Sequence, residues 1–387
     1  MINKNIHIAI IGGGIGGLVV AIALHQKGFN PVVYEQAKSI HPIGAGIVLS
    51  TNAMNALNKI GVAKEVVKLG SPVHKFQLQN SKGRPLYTTN FDELETKYGF
   101  PAIGISRTDL QQVLLQRIPN NSIYLDHHLE LINDHYLKFK ERRSIKPDLV
   151  IGADGLHSNL RHLLFKNISL RYSGQTGWRG LGFLPKHSKL NSFFESWGRG
   201  RRFGAVQINE KQVYWYVGLN APSGSLPIDG VESKNKILSL FKDWHDPITE
   251  LVKNTPLHCI LPTDIYDLKP SRTWVKDNVV LLGDSIHATT PNLGQGAGMA
   301  IESALTLAYC LSENSDLKDA FTQYQSLRQK RTAWVTSQSW IWGKVSQANG
   351  NISCYLRDTL LSFSSNFIPK VIEKKHINKL LGYQVDF

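Results

Sequence analysis

The residues of this sequence that could do chemistry lie in glycine-rich turns, and the first of these turns lies between Ile6 and Glu35. Gly12, Gly14 and Gly17 have the spacing G-x-G-x-x-G, which permits a tight turn, close approach of a pyrophosphate to the backbone and close packing of a helix on a strand. Glu35 follows at the distance at which a carboxylate accepts hydrogen bonds from ribose hydroxyl groups. An acid here favours a ribose without a 2′-phosphate, so the pattern predicts a site for FAD or NAD.

A second turn follows the apolar segment that begins at Leu149, and it contains Asp154 and Gly155. Asp-Gly turns are common where a chain only reverses direction, so a purely structural role is one interpretation. In the other interpretation, Asp154 holds the turn against the pyrophosphate end of the cofactor and Arg161 supports it. The residues alone do not decide between the two.

A third motif places Asp284 at the end of an apolar segment, followed by a turn with Gly294, Gly296 and Gly298. A carboxylate at the end of a buried strand is well placed to accept a hydrogen bond from a ribityl hydroxyl group. The N–H groups of the turn lead into a helix and can face a flavin ring or a peroxide. The alternative is a turn whose glycines serve only tight packing.

The elements that must position these turns are strands followed by helices. The sequence predicts buried strands at Ile6–Ile11 and Pro31–Tyr34, a helix over about 16–27, a strand–turn–helix unit at 149–161, a strand at 276–284 and a long helix from about Gly296. Gly44 and Gly46 indicate a close approach of the backbone. Elsewhere the pattern predicts strands at 74–79 and 85–89, a strand-rich region at 172–220, an amphipathic helix at 238–252, and mostly helix from 321 to the end.

The composition is that of an ordinary globular protein with room for two domains: 387 residues, 42% hydrophobic and 19% charged. No apolar segment reaches membrane-spanning length, and Met1 leads almost directly into the first strand, so no signal peptide is expected. Three dispersed cysteines, Cys259, Cys310 and Cys354, have no metal-ligand spacing. They predict a reducing, cytoplasmic location without a disulfide framework or a metal site.

The net charge of +14 indicates basic surfaces. Aromatic residues do not alternate with the basic clusters, so the pattern does not favour a nucleic-acid partner. The favoured interpretation is solvated faces that attract an anionic cofactor or substrate. Peripheral contact with an anionic membrane is the alternative.

The chain contains three motifs in the order GGGIGG…YE, IGADGLHSNLR and LLGDSIH…PNLGQGAGMAIE. In sequence and order they resemble the motifs of single-component FAD-dependent monooxygenases. This family includes p-hydroxybenzoate and salicylate hydroxylases, urate hydroxylase and zeaxanthin epoxidase. The resemblance spans about residues 6–330 and is greatest to the urate hydroxylase and zeaxanthin epoxidase branch. It implies an α/β fold: a discontinuous, Rossmann-like, glutathione-reductase-like FAD-binding domain (1–73, 102–173 and 258–330), an inserted mixed-sheet substrate domain (74–101 and 174–257) and a helical C-terminal segment (331–387).

The resemblance also implies residues that bind FAD. They are Gly12, Gly14, Gly16 and Gly17 at the pyrophosphate, Glu35 and Gln36 at the adenosine ribose, Arg107 at the ribityl–phosphate region, Asp154 and Gly155 in the second motif, Asp284 at the ribityl chain, Gly294, Gln295, Gly296 and Ala297 along the flavin ring, and Val48 and Leu129 through their backbones.

The chemistry implied by this family is hydroxylation or epoxidation of an aromatic or other small organic substrate. NADH or NADPH binds transiently and reduces the flavin, and O₂ then gives a C4a-hydroperoxyflavin. Two other interpretations remain: an FAD-dependent reductase of the geranylgeranyl-reductase type, and a non-catalytic nucleotide-fold scaffold like the GDP-dissociation inhibitors.

Three residues are candidates for the substrate site. Arg202 and Tyr214 match a substrate-binding arginine and tyrosine of urate hydroxylase-like enzymes, and Arg179 replaces an asparagine that meets the ligand there. In the alternative interpretation, Arg202 is a surface arginine and Tyr214 is a core tyrosine. His287 could act as a base, although a structural histidine is the favoured interpretation.

The tail from 352 to 381 carries apolar residues at near-helical spacing: Tyr355, Leu356, Leu360, Phe363 and Phe367. Packing on the substrate domain is the favoured role, with a dimer face or a membrane-surface helix as alternatives. A monomer and a homodimer are both compatible with the sequence.

Overall fold

The computed structural model describes residues 1–39, 45–184, 190, 192–367 and 370–386, so Gly44 lies outside the described residues. The strands are β1 Ile8–Ile11, β2 Val32–Tyr34, β3 Gly46–Leu49, β4 Ser71–Val73, β5 Lys75–Asn80, β6 Pro85–Asn90, β7 Ala102–Ser106, β8 Ile123–Tyr124, β9 Leu129–Asn133, β10 Tyr136–Phe139, β11 Leu149–Gly152, β12 Leu170–Phe183, β13 Phe193–Trp197, β14 Arg201–Gln207, β15 Gln212–Asn220, β16 Ile260–Leu268, β17 Val275–Lys276 and β18 Val279–Leu281. The α-helices are α1 Ile15–Gln26, α2 Thr51–Lys59, α3 Ala63–Leu69, α4 Asp92–Tyr98, α5 Arg107–Leu115, α6 Asn159–Leu164, α7 Gly230–Phe241, α8 Ile248–Lys253, α9 Asp284–His287, α10 Gly296–Glu313, α11 Leu317–Ser346, α12 Asn351–Phe367 and α13 Lys370–Leu381.

The first motif lies in a six-stranded sheet with the strand order β17-β18-β11-β1-β2-β8. Strands β18, β11, β1, β2 and β8 pair in parallel, and β17 is antiparallel to β18. The residues of β1 are buried and apolar, as expected for a central parallel strand covered on both faces. Ile11 pairs with Gly152, and Gly152 pairs with Leu281. The three predicted motifs therefore meet at one edge of this sheet, because each follows the carboxyl end of a parallel strand.

A seven-stranded sheet forms the second layer, in the order β16-β12-β15-β14-β13-β5-β6. One face packs on α7 and α8 through a buried apolar cluster that includes Trp178, Phe203 and Trp215. Side chains alternate between the two faces of a strand, so Arg179, Tyr214 and Arg202 lie on the opposite face. Small sheets of three (β3-β7-β4) and two strands (β10-β9) complete the structure. The predicted α/β fold class is confirmed.

Two parts of the organisation differ from the sequence pattern. The prediction of one helix at 238–252 was wrong, because Pro247, which lacks an N–H group, stands at the N-terminal end of α8 and separates it from α7. Strand β16 belongs to the seven-stranded sheet, although the sequence assigns 258–330 to the FAD-binding domain. The long strand β12 explains this difference, since it pairs with β16 from Leu170–Leu268 to Gly180–Ile260.

Candidate cofactor and substrate site

The glycines of the first turn have two structural roles: they allow helix α1 to pack closely, and they leave the backbone open to a ligand. A Cβ atom at Gly17 would lie 1.9 Å from the carbonyl oxygen of Gly12, so helix α1 could not pack as closely with a larger residue. Gly12 itself has a φ angle of +106°. A Cβ at Gly14 would meet no atom within 4 Å, and Gly14 is exposed at the N-terminus of α1. The backbone there faces open space, which fits the approach of an anionic pyrophosphate.

Glu35 is held beside this turn by the backbone. One carboxylate oxygen accepts a hydrogen bond from the amide of Gly13 at 2.6 Å, and the other accepts from the amide of Ala37 at 2.8 Å. Each oxygen keeps a further lone pair for a ribose hydroxyl group. The side-chain oxygen of neighbouring Gln36 lies 3.1 Å from Nδ1 of His128, which precedes Leu129. Glu35, Gln36 and Leu129 therefore lie at the same end of the cleft.

Asp154 has one carboxylate oxygen paired and one unpaired. Oδ2 accepts from the amide of Leu160 at 3.0 Å, whereas buried Oδ1 has no hydrogen-bond partner among the described residues. Burial raises the pKa of this carboxyl group, and the nearby Ser158 side chain, the Leu160 amide and then the charge of Arg161 oppose the rise. Arg161 donates to the carbonyl oxygen of Ser285 at 2.9 Å, so it connects the second motif to the third. The orphaned oxygen is a ready acceptor for a ligand hydroxyl group.

Asp284 follows Gly283, whose φ angle is +67°, and its side chain is accessible to solvent although protein surrounds it on most sides. An accessible carboxylate of this kind can accept a hydrogen bond from a ligand at this edge of the sheet. Burial raises the pKa of the Asp284 carboxyl group, and the positive charge of Arg107 opposes the rise. Arg107 begins α5, where the side chain of Ser106 accepts from the amide of Asp109.

His287 is a structural residue. The Gly283 amide donates to its Nε2 at 3.2 Å, so that nitrogen carries no proton, and burial lowers the pKa of the ring to about 3. A neutral imidazole with this occupied nitrogen is not available as a base at the cleft. The structure thus agrees with the structural interpretation of His287.

The glycine turn before α10 presents its backbone to the cleft. Gly294 is exposed and has a φ angle of +63°, and a Cβ atom there would meet no other atom within 4 Å. The side chain of Gln295 points into the protein, where its oxygen accepts from Asn52 at 3.0 Å. Asn52 also donates to Glu302 at 2.7 Å, and both residues are buried. Gln295 can therefore contact a cofactor only through its backbone. The backbones of the neighbouring residues Gly296 and Ala297 can also contact it.

Arg202 is almost fully buried, at 1% exposure, so the surface alternative was wrong. Its guanidinium group lies 3.4 Å from a carboxylate oxygen of Glu195 and donates to Oδ1 of Asn292. The hydroxyl group of Tyr216 donates to the other oxygen of Glu195. Burial, and then the charge of Glu195, raise the pKa of Tyr216 well above 10. The sequence indicates this ion pair only through Glu195, an acid in an otherwise uncharged strand.

Arg179 and Tyr214 lie on neighbouring strands of the large sheet, where Arg179 pairs with Tyr216 and Tyr214 pairs with Leu181. Nε of Arg179 is buried and has no hydrogen-bond partner among the described residues. Burial raises the pKa of Tyr214, and the charges of Arg179 and then Arg107 oppose the rise. Tyr214 also explains the predicted close approach at Gly46, where a Cβ would lie 2.3 Å from that of Tyr214. Gly46 pairs with Ser106, the residue before Arg107, so the large sheet lies directly against the part of the chain that carries Arg107.

The residues present fit FAD: an open glycine turn at a helix N-terminus, an orphaned carboxylate oxygen at Asp154 and an accessible carboxylate at Asp284. Val48 lies beside Tyr214 in the apolar cluster between the small and large sheets. The fold and the site together define a flavin-dependent oxidoreductase whose cofactor cleft is bordered by a second sheet.

Comparison with known proteins narrows this class. A family model described as an FAD-binding domain matches residues 5–197. The chain is 36% identical over 363 residues to the aurachin C monooxygenase/isomerase of Stigmatella aurantiaca, covering 93% of this chain and 94% of that protein. It is 29% identical over 374 residues to the 2-heptyl-3-hydroxy-4(1H)-quinolone synthase of Pseudomonas aeruginosa, with coverage of 93% and 94%. The structure of Klebsiella pneumoniae HpxO complexed with FAD and uric acid has the same fold, with a TM-score of 0.88, 24% identity and 98% coverage of each chain.

The chain belongs to the family of FAD-dependent monooxygenases. The predicted cofactor, FAD, and the predicted oxidoreductase class are confirmed. The relatives support the monooxygenase interpretation over both the reductase and the scaffold. No helix among the described residues is long and apolar enough to cross a membrane.

Proposed function

We propose that this monooxygenase inserts one oxygen atom from O₂ into an aromatic substrate that binds between Arg179 and Tyr214 on the large sheet and the residues that would hold FAD. NADH or NADPH supplies the electrons. The observation that carries the proposal is geometric: Arg202 of the large sheet donates to Asn292 in the turn before α10, and Gly46, which pairs with Ser106, packs against Tyr214. Both contacts support one cleft that the cofactor side and the sheet side share.

We assign FAD binding to the residues that border this cleft. When bound, FAD accepts electrons from the nicotinamide and activates O₂. The backbone of the first turn and α1 hold the pyrophosphate, Asp154 and Asp284 accept hydroxyl hydrogen bonds, and Arg107 offsets the negative charge between them. The full set comprises Gly12, Gly14, Gly16, Gly17, Glu35, Gln36, Val48, Arg107, Leu129, Asp154, Gly155, Asp284, Gly294, Gln295, Gly296 and Ala297.

The three candidate residues of the substrate site have different proposed roles. The guanidinium group of Arg179 has an unpaired donor and would neutralise a phenolate or enolate oxygen on the substrate. Tyr214, kept protonated by burial, would donate a hydrogen bond to the same ring. Arg202 is committed to Glu195 and Asn292, so we assign it to positioning the turn before α10 and not to contact with the substrate.

The names of two relatives suggest a substrate class. One acts on aurachin C and the other produces 2-heptyl-3-hydroxy-4(1H)-quinolone, an aromatic ring with an alkyl chain and ring oxygens. A ring oxygen of this type suits Arg179 and Tyr214. We therefore propose an aromatic substrate with an ionisable or carbonyl oxygen on its ring, and the quinolones are the first compounds to test.

A compound panel tests the proposal. The FAD-loaded enzyme is mixed with NADH or NADPH and with 2-alkyl-4(1H)-quinolones, phenolic acids or urate, and nicotinamide oxidation is followed together with product mass. We expect at least one ring-oxygenated aromatic to accelerate oxidation and to gain one oxygen atom. Acceleration by no aromatic compound, or acceleration without any oxygenated product, would contradict the proposal.

We also propose a cytoplasmic location and a monomer or homodimer. The three cysteines are free, which fits a reducing compartment. For the domains, we propose that β16 and the first residues of its partner β12 (170–173) are moved to the substrate domain, because β16 pairs with β12 from Leu170 onward, and that the remaining boundaries stand as the sequence predicts.

A further inference from the structure

Helix α12 lies beside the outer strand of the large sheet, and its inward face is polar as well as apolar. It packs near β6, and Leu361 joins a cluster with Leu78, Leu86 and Trp197. Arg357 is buried on this side and donates to the carbonyl oxygen of Ser346 at 3.2 Å. The inward face is therefore fixed to the protein.

The outward face of the same helix is apolar. The exposed fractions are 77% for Ile352, 72% for Tyr355, 52% for Leu356 and 68% for Leu360. Their spacing of three, four and eight residues places them in one stripe along the helix. Single exposed apolar residues are normal, but a continuous stripe of large ones marks an interaction surface.

Charge distinguishes the possible partners of this stripe. The only charged residues of the helix between 351 and 363, Arg357 and Asp358, pair with each other at 2.8 Å. Exposed Arg199 donates to the carbonyl oxygen of Asn349 at 3.2 Å, so a cation lies at the beginning of the helix. The whole chain has a net charge of +14, which repels a second copy and attracts an anionic surface.

We propose that the outward face of α12, formed by Ile352, Tyr355, Leu356 and Leu360, binds the surface of an anionic phospholipid bilayer. An amphipathic helix that lies along the surface inserts its apolar side chains between the headgroups, while Arg199 at the beginning of the helix contacts a lipid phosphate. This peripheral contact does not depend on the identity of the substrate.

Vesicle sedimentation of the full-length, FAD-loaded chain tests this proposal. We expect binding to vesicles that contain phosphatidylglycerol, weaker binding to pure phosphatidylcholine, and weakening by salt. The double variant Leu356→Gln/Leu360→Gln should lower the partition coefficient about tenfold or more, since two leucine side chains no longer leave water. The matched control is Ile228→Gln/Val231→Gln, which changes two other exposed apolar residues and should bind as the wild type does.

FAD content and NAD(P)H oxidase activity report whether the variants fold. Wild-type chain that does not sediment with either vesicle, or a Leu356/Leu360 variant that binds with unchanged affinity, would overturn the proposal. Light scattering tests whether the stripe binds a second copy of the chain instead of a membrane. A dimer that forms in the wild type and dissociates in the Leu356/Leu360 variant would assign the stripe to a second copy and would also overturn the proposal.

Discussion

Arg202 in the large sheet donates a hydrogen bond to the side-chain oxygen of Asn292, which lies in the turn before α10. The same guanidinium group is paired with Glu195, and both residues are buried. Asn292 is fixed in turn by its donation to the carbonyl oxygen of Ser339 at 2.8 Å. One buried cation thus connects the substrate face of the sheet to the turn expected to lie along the flavin.

Removing only the cation should destabilise the protein. Arg202→Met leaves the Glu195 carboxylate buried and without its positive partner, which costs about 3–5 kcal/mol of unfolding free energy. The double variant Arg202→Met/Glu195→Gln removes the uncompensated charge and should be more stable than the single variant. Urea unfolding measures both. Strictly additive effects of the two substitutions would contradict the ion pair.

A pair of glycine substitutions separates cofactor binding from packing. Gly14→Ala places a methyl group in open space, so the stability of the FAD-free protein should change by less than about 1 kcal/mol. The Kd for FAD should rise about tenfold or more, because the methyl group occupies the approach of the pyrophosphate. Gly17→Ala meets the Gly12 carbonyl and should destabilise the fold itself. Unchanged FAD affinity in a folded Gly14→Ala variant would show that the turn does not hold the pyrophosphate.

Arg179 should act on the substrate and not on FAD. Loss of a hydrogen bond to a charged group costs about 1.5–3 kcal/mol, so Arg179→Gln should raise KM for a ring-oxygenated substrate about ten- to hundredfold at full FAD occupancy. Steady-state kinetics and the flavin spectrum measure the two effects. Arg199→Gln, at an exposed arginine, is the control and should keep the wild-type KM. An unchanged KM in Arg179→Gln would remove Arg179 from the substrate site.

His287 should contribute to acid unfolding. Its folded-state pKa of about 3 lies below its ordinary value of 6.5, so unfolding takes up one proton at pH values between these limits. The contribution is fully present above about pH 6.5 and is lost as the pH falls towards 3, at about 1.4 kcal/mol per pH unit. Chemical unfolding at a series of pH values measures the slope. His287→Gln should show a shallower loss, and an identical slope would contradict the lowered pKa.

The sequence predicted the cofactor side of the molecule well because the relevant signals are local. Glycine spacing requires a turn at 12–17, a buried strand must precede it, and helix α1 begins and ends within one residue of the predicted range. Parallel strands then bring Asp154 and Asp284 to the same edge. Strand and turn signals of this kind do not depend on distant parts of the chain.

The substrate side could not be predicted to the same depth because it depends on strand register. Glu195 reaches Arg202 only because β13 pairs with β14. The other partner of Arg202, Asn292, lies 90 residues after Arg202 in the chain. Neither partner has a sequence pattern that indicates the other. The interruption at Pro247 and the pairing of β16 with β12 likewise follow from tertiary packing.

Isotope labelling with ¹⁸O₂ tests the central claim most directly. The FAD-loaded enzyme, NAD(P)H and an accelerating aromatic compound are incubated under ¹⁸O₂, and the product is examined by mass spectrometry. A monooxygenase predicts a product that carries one ¹⁸O atom, with formation of the product dependent on FAD. A product that gains two hydrogen atoms and no ¹⁸O, or one whose new oxygen comes from water, would contradict oxygen transfer at this cleft.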